Sequence, residues 1–161
     1  VRIRNGEIQV NTPTVMLGYY KMPKETAEMF TEDGWLKTGD IGELTPDNQL
    51  FITGRVKNLI ILSNGENVSP EAIEKKFANV ELVSEVLVYA ENDRIIAEVY
   101  PDTEYAKLEG IDDIQAELDK AVDRMNKTAK LSHIISEVRV RTEPLEKTSS
   151  GKIKRKETVI K

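Results

Sequence analysis

Three short polar motifs contain side chains whose types and spacing suit the binding of sugar or phosphate groups. Thr38-Gly39-Asp40 combines a glycine, which lets a ligand approach the backbone closely, with a carboxylate that can accept two hydrogen bonds from a vicinal diol such as a ribose. Gly54-Arg55 adds a planar guanidinium that can pair with ribose or phosphate oxygens. A third cluster, Ser149 to Arg155, lies near the C-terminus. Taken singly, each motif is also typical of a solvated turn, linker or tail.

The composition of the whole chain limits the classes of protein to which it can belong. With 161 residues, of which 39% are hydrophobic, the chain can form one ordinary domain or two small lobes with a real core. Its net charge of -5 argues against nonspecific binding of nucleic acid, although residues 152–161 form a local basic cluster. The absence of cysteine excludes disulfides and thiolate metal sites, and it fits a cytoplasmic protein.

Neither the start of the chain nor its single histidine points to a complete, independent enzyme. The chain begins at Val1 without a methionine, so we interpret it as a piece of a longer polypeptide. The longest apolar run, Leu59 to Leu62, is far too short to cross a bilayer. His133 has no second histidine or cysteine to accompany it, which argues against a catalytic or metal-binding role.

The first part of the chain is predicted to consist mostly of strands and turns. Residues 1–20 suggest strands, with a hairpin turn at Asn5-Gly6 and a second apolar stretch at Val15 to Leu17. Pro23 is predicted to begin a short helix. The Thr38-Gly39-Asp40 motif then leads into a hairpin whose turn contains Thr45 to Asn48.

The remainder, residues 58–161, follows the predicted order ββ-α-ββ-α-β and ends in a polar, flexible tail from Pro144. Ser69-Pro70-Glu71 combines a cap, a proline and an acid that together begin a helix. Either Asp112 or Asp113 is expected to cap a longer helix. The fold class is therefore predicted to be α+β, with a division near Arg55 to Lys57.

Five short motifs follow one another along the chain: GEI…GY in residues 6–19, WLKTGD in 35–40, GRVK in 54–57, NGENVSPE in 64–71, and P…SGKI in 144–153. In this order they resemble the C-terminal part of the adenylate-forming superfamily, which includes acyl-CoA synthetases, nonribosomal peptide synthetase adenylation domains and luciferases. Leu36 departs from the family's pattern, because many members have an aromatic residue there.

The resemblance implies a role for individual residues and for two regions. Asp40 would bind the ribose hydroxyls of ATP, and Arg55 the ribose or phosphate. Lys57 would be the hinge, and the loop around Gly65 would face the channel for the pantetheine of CoA. Lys152 would be catalytic, reaching the α-phosphate and the acyl carboxylate. Residues 1–55 would be the β-rich remainder of an N-terminal large lobe, and residues 56–161 the C-terminal lid domain.

Residues 60–70 and 143–148 look most like long-chain fatty acid–CoA ligases. This resemblance implies ATP, a fatty acid and CoA as small-molecule substrates, and the N-terminal lobe of the same parent chain as a partner. It also implies Mg²⁺ bound mainly by that lobe, peripheral contact with a membrane, and no nucleic-acid partner. The family's Ser/Thr/Gly-rich phosphate loop is not present, so the piece alone is expected to be inactive. Two alternatives remain: an adenylation domain that loads an amino or aryl acid onto a carrier protein, and a non-catalytic α+β module that binds a partner.

Overall fold

The structure is a computed structural model, and it describes residues 1–155. The chain divides into two compact units, Val1–Leu59 and a second unit that begins at Ile60. The predicted boundary after residue 55 lies close to this division. Its interpretation as a boundary between two lobes of a larger enzyme stays a prediction.

The first unit contains four strands and one helix: β1 (Arg2–Arg4), β2 (Glu7–Val10), α1 (Pro23–Met29), β3 (Leu36–Leu44) and β4 (Leu50–Arg55). The strands form an antiparallel sheet in the order β1-β2-β3-β4. Asn5 and Gly6 form the predicted β1–β2 turn, and both have positive φ angles, of 51° and 81°, as a tight hairpin turn requires. The predicted helix at Pro23 and the predicted β3–β4 hairpin are also confirmed.

The predicted strand at Val15 to Leu17 is wrong. Pro13 instead lies in a turn closed by the Val15 amide, which donates to the Thr12 carbonyl at 3.2 Å. The segment then passes over α1, where the Tyr19 amide donates to Thr26 Oγ1 at 2.9 Å. Leu17 is fully exposed, because three apolar residues without a partner strand gain too little burial to form a sheet.

The second unit has the predicted order of strands and helices, with one additional helix. Its elements are β5 (Ile60–Ile61), β6 (Asn67–Val68), α2 (Pro70–Phe77), β7 (Val83–Glu91), β8 (Arg94–Pro101), α3 (Thr103–Leu108), α4 (Ile114–Asn126) and β9 (Ile135–Val140). The three-stranded sheet has the order β7-β8-β9, in which β7 and β8 are antiparallel and β8 and β9 are parallel. The fold class is α+β, as predicted.

One face of this sheet packs against the apolar sides of α2 and α4 and forms the core. Fully burying one side chain of the size of Phe77 or Leu118 stabilises a fold by roughly 1.5–3 kcal/mol. Several such side chains therefore hold the second unit together. The largest fully buried members of this core are Val68, Ile73, Phe77, Val88, Val99 and Leu118.

Side-chain caps determine where the helices of the second unit begin. Ser69 Oγ accepts from the Ala72 amide at 3.4 Å and is followed by Pro70, as predicted for α2. Of the two aspartates proposed for α4, the cap is Asp113, whose Oδ1 accepts from the Ala116 amide at 2.9 Å. The additional helix α3 has an equivalent cap, Asp102.

The segment after Pro144 is not the free tail that the sequence suggested. Leu145 is buried, and residues 146–154 form a small antiparallel hairpin in which Lys147 pairs with Ile153. The described part of this segment is therefore a folded hairpin and not an extended tail, because buried Leu145 and ion pairs to β7 and α2 attach it to the rest of the unit. The rest of the basic cluster, residues 156–161, lies outside the described residues. No helix within residues 1–155 is long and apolar enough to cross a membrane.

Candidate functional site

The structure brings two of the predicted site residues, Asp40 and Arg55, into direct contact. They are cross-strand partners on β3 and β4, and Arg55 Nε lies 2.9 Å from Asp40 Oδ1. The side chain of Asp40 is 26% exposed and that of Arg55 54% exposed. An ion pair as accessible as this contributes only about 0–1 kcal/mol to stability. Its groups can therefore exchange their mutual contact for a ligand at little cost.

The backbone beneath Asp40 is held by hydrogen bonds to β2. The Thr38 hydroxyl donates to the Ile8 carbonyl at 2.9 Å and accepts from the Asp40 amide at 3.1 Å. The Gly39 amide donates to Glu7 Oε1 at 3.0 Å. Gly39 has a φ of 71°, a left-handed conformation that glycine adopts without strain. Glu7 lies 32 residues before Gly39, so no local sequence pattern indicated that it supports this motif.

Lys57 lies in the short stretch that joins the two units. Val56–Asn58 forms a single 3-10 turn directly after β4, and the Leu59 amide closes it by donating to the Val56 carbonyl at 3.2 Å. The side chain of Lys57 is exposed. A single short turn contains few interactions that resist a change of backbone dihedral angles.

Gly65 lies at the exposed turn between β5 and β6. Its amide donates to the Leu62 carbonyl at 2.8 Å, and its φ is 81°. Apart from its two chain neighbours, none of the residues 1–155 has an atom within 4 Å of the place where a Cβ would be. The loop is attached to the β7–β8 turn by Asp93, whose carboxylate accepts from both the amide and the hydroxyl of Ser63. These hydrogen bonds lower the pKa of Asp93. Asp93 thus anchors the loop, a role that its sequence position in a turn did not reveal.

Lys152 lies in the turn of the hairpin formed by residues 146–154. Its carbonyl accepts from the Thr148 amide at 2.8 Å, and its own amide donates to Thr148 Oγ1 at 3.2 Å. Lys152 is exposed, and no carboxylate of residues 1–155 lies within ion-pair distance of its ammonium group. The backbone of Lys152 is therefore fixed, while its charge faces solvent.

His133 ends a 3-10 turn, Leu131–His133, and its Nδ1 lies 3.1 Å from the Ser132 hydroxyl. Burial and, to a smaller extent, the positive charge of Lys130 lower its pKa from the usual value of 6.5. Within the described residues 1–155, no group of three or more His, Cys, Asp or Glu side chains could hold a metal ion.

Comparison with known proteins shows the family to which the chain belongs. Residues 57–161 match the family model described as the AMP-binding enzyme C-terminal domain. The chain belongs to this family, which confirms the resemblance noted in the sequence.

The similar curated proteins include several long-chain fatty acid–CoA ligases. Long-chain-fatty-acid–CoA ligase 1 of Homo sapiens is 44% identical over 101 residues, which cover 62% of this chain and 14% of the ligase. Long-chain-fatty-acid–CoA ligase 1 of Schizosaccharomyces pombe is 43% identical over 90 residues, or 56% of this chain and 13% of the ligase. The chain thus spans about a seventh of the length of these relatives.

Solved structures with a similar fold include two adenylate-forming enzymes with bound nucleotide. The adenylation and carrier didomain of carboxylic acid reductase from Segniliparus rugosus, in complex with AMP, has a TM-score of 0.74 and 28% identity. That match covers 93% of this chain and 22% of the reductase chain. ATP-bound MatB from Rhodopseudomonas palustris has a TM-score of 0.70 and 27% identity, with 92% of this chain and 28% of that one covered.

Proposed function

We propose that this chain is the C-terminal part of an ATP-dependent, AMP-forming acyl-CoA ligase that acts on long-chain fatty acids. The parent enzyme converts acid and ATP to acyl-adenylate and pyrophosphate, and then converts the adenylate and CoA to acyl-CoA and AMP. The observation that supports this most strongly is the 43–44% identity to long-chain fatty acid–CoA ligases over more than half of the chain. The alternative, loading an acid onto a carrier protein, has weaker support, because the carrier-linked reductase is only 28% identical.

In this proposal, Asp40 and Arg55 bind the nucleotide. The carboxylate of Asp40 accepts hydrogen bonds from the ribose hydroxyls, and the guanidinium of Arg55 donates to ribose or phosphate oxygens. Their cross-strand contact supports this assignment, since it presents an acceptor and a planar donor side by side at an accessible position.

Lys152 is the proposed catalytic residue of the first step. When a carboxylate attacks the α-phosphorus of ATP, two negatively charged groups must approach each other. A placed ammonium group offsets that repulsion most strongly in the transition state. The exposed ammonium of Lys152, on a backbone fixed by two hydrogen bonds to Thr148, suits this role.

The remaining assignments follow from the family resemblance. The loop around Gly65 lines the CoA channel, and Lys57 is the hinge between a large N-terminal lobe and the lid that residues 56–161 form. The ligands of Mg²⁺ belong mainly to the N-terminal lobe, which is the partner of this chain within the same polypeptide. A cytoplasmic location and peripheral contact with a membrane complete the proposal.

Substitution of Lys152 in the full-length enzyme tests this function. We expect Lys152→Ala to reduce acyl-adenylate formation by roughly a hundredfold or more, because one transition-state charge contact is worth a few kcal/mol. Thioester formation from pre-formed acyl-adenylate and CoA should stay near the parental rate. Pyrophosphate release measures the first step and acyl-CoA production the second. Lys107→Ala, an exposed lysine on α3, is the matched control.

Two results would contradict the assignment in different ways. If Lys152→Ala forms the adenylate at the parental rate, Lys152 is an ordinary solvated residue. If the variant fails equally when the adenylate is supplied, Lys152 is not specific to the first step.

A further inference from the structure

The hairpin formed by residues 146–154, here called the Lys152 hairpin, is attached to the sheet at the start of its first leg. Glu85, near the start of β7, contacts Leu145, the residue just before this leg, and Lys147 within it. Its Oε2 accepts from the Leu145 amide at 2.7 Å, and its Oε1 lies 2.5 Å from Lys147 Nζ. The Glu85 side chain is only 12% exposed. The Lys147 ammonium is the largest cause of a lowered pKa at Glu85, so this carboxylate stays ionised and keeps both contacts at neutral pH.

The residue that follows the second leg, Arg155, is attached by a different carboxylate. The guanidinium of Arg155 forms a two-point contact with Glu74 on α2, at 3.0 Å from Nη1 to Oε1 and 2.6 Å from Nη2 to Oε2. Glu71, one turn earlier, adds a longer contact of 3.4 Å. Glu74 Oε1 also accepts from the Val88 amide at 2.8 Å, so one carboxylate joins α2, the outer edge of β7 and the end of the hairpin. Two-point contacts of this kind fix direction as well as distance.

The hairpin between these attachments is short and internally bonded. The Lys154 amide donates to the Glu146 carbonyl at 2.8 Å, and the Thr148 amide donates to the Lys152 carbonyl at the same distance. The Gly151 amide closes the turn on the Thr148 carbonyl at 2.9 Å. Only Ser149, Ser150 and Gly151 separate Thr148 from Lys152. The turn has too few free backbone dihedral angles to compensate for a shift of either leg. Such a shift therefore also moves the Lys152 backbone.

We propose that Glu74 and Glu85 are positioning residues for Lys152, acting through the two legs of the hairpin. This inference rests on the proposed catalytic role of Lys152. Neither carboxylate is assigned a contact with substrate. The contacts of Glu74 and Glu85 fix the position of the hairpin and therefore of the Lys152 backbone. That position determines which atoms the Lys152 ammonium group can reach when the lid closes. Such placement matters, because a misplacement of about 1 Å can cost on the order of a hundredfold in rate.

The test uses the full-length enzyme with Glu74→Gln and Glu85→Gln, each of which keeps the shape of the side chain and removes its charge. Adenylate formation should fall by about tenfold or more, whereas thioester formation from pre-formed acyl-adenylate should stay at the parental rate. Glu117→Gln is the matched control, because Glu117 has an equally close ion pair of 2.6 Å with Lys120 on α4, outside the hairpin. A loss of fold stability alone would slow both steps together.

Hydrogen exchange gives a second readout that does not depend on activity. The amides of Thr148, Gly151 and Lys152 should exchange faster in Glu74→Gln and Glu85→Gln than in the parent or in Glu117→Gln, because a leg released from the sheet opens more often. If Glu74→Gln does not fold, Arg155→Gln removes the same contact from the hairpin side. Arg155→Lys, which keeps the charge but not the two-point geometry, should recover part of the lost adenylation rate.

The outcomes separate this inference from the function on which it rests. If adenylation is unchanged in the Glu74, Glu85 and Arg155 variants, or if both half-reactions slow equally, the positioning role is wrong. If Lys152→Ala also adenylates at the parental rate, the proposed function has failed as well. If Lys152→Ala is inactive in the first step while the glutamate variants behave as the parent, only the positioning role is lost.

Discussion

At the scale of single residues, the surroundings of His133 determine which protonation state of its imidazole the folded protein favours. Burial is the largest cause of its lowered pKa, and the charges of Lys130 and Lys76 act in the same direction, while Glu66 opposes them. The folded protein therefore favours the neutral imidazole.

This shift predicts how stability depends on pH. Because the pKa of His133 is lower in the folded state than its usual 6.5, the unfolded state takes up a proton first as the pH falls. Well above about pH 6.5, His133 is neutral in both states, so its titration does not change the free energy of unfolding there. Below it, stability decreases until the pH passes the folded-state pKa. Urea unfolding of the parent and of His133→Gln at several pH values measures this decrease in the free energy of unfolding.

The comparison with His133→Gln removes the contribution of the carboxylates, which both proteins share. We expect the parent to lose more stability than the variant between pH 6.5 and the folded-state pKa. Parallel pH profiles over this window would mean that His133 titrates alike in the folded and unfolded states.

At the scale of elements, the sequence predicted well wherever a local signal decides the structure. The proline and cap at Ser69-Pro70 located α2, and the Asn5-Gly6 turn located the first hairpin. It failed where the decisive partner is distant. Glu85 binds the Leu145 amide across 60 residues, and Glu74 binds Arg155 across 81, so nothing near Pro144 indicated a folded hairpin. The helix α3, with six residues, is too short to show a helical period.

The cap of α4 provides an element-scale prediction with an internal control. Asp113→Ala removes the acceptor for the Ala116 amide and should lower the free energy of unfolding by about 1 kcal/mol. Asp112→Ala removes the same charge one residue earlier, where the side chain is exposed and is not the cap. It should therefore have a much smaller effect. Equal losses in the two variants would show that the effect is one of helix electrostatics and not of the cap.

At the scale of the whole molecule, the proposed roles divide between the two units. Asp40 and Arg55, which we propose to bind the nucleotide, belong to the first unit, and Gly65 and Lys152 belong to the second. The sequence motifs supplied all of these candidates, and their catalytic and binding roles stay predictions. What the motifs could not supply is the pairing of Asp40 with Arg55, which depends on a register shift between Ile41 and Gly42 in the β3–β4 ladder. The family match begins at residue 57, within the 3-10 turn that joins the units.

This turn is where we predict that the lid changes orientation between the two half-reactions. In the full-length enzyme, Lys57→Pro should leave adenylate formation largely intact and strongly reduce thioester formation. Proline fixes φ near -65° and restricts the residue before it, so rotation at this turn becomes costly. Pyrophosphate release measures adenylation, and the production of acyl-CoA from CoA and pre-formed acyl-adenylate measures thioester formation.

The matched control is Lys57→Ala, which removes the ammonium but leaves the backbone free to rotate. If Lys57 acts as a hinge through its backbone, Lys57→Ala should retain both half-reactions and Lys57→Pro only the first. Loss of the second half-reaction in both variants would assign the role to the charge and not to the hinge. Because proline also disfavours the helical conformation of Val56, the free energy of unfolding is measured for both variants. Equal loss of both half-reactions in Lys57→Pro, or of neither, would place the pivot elsewhere in the chain.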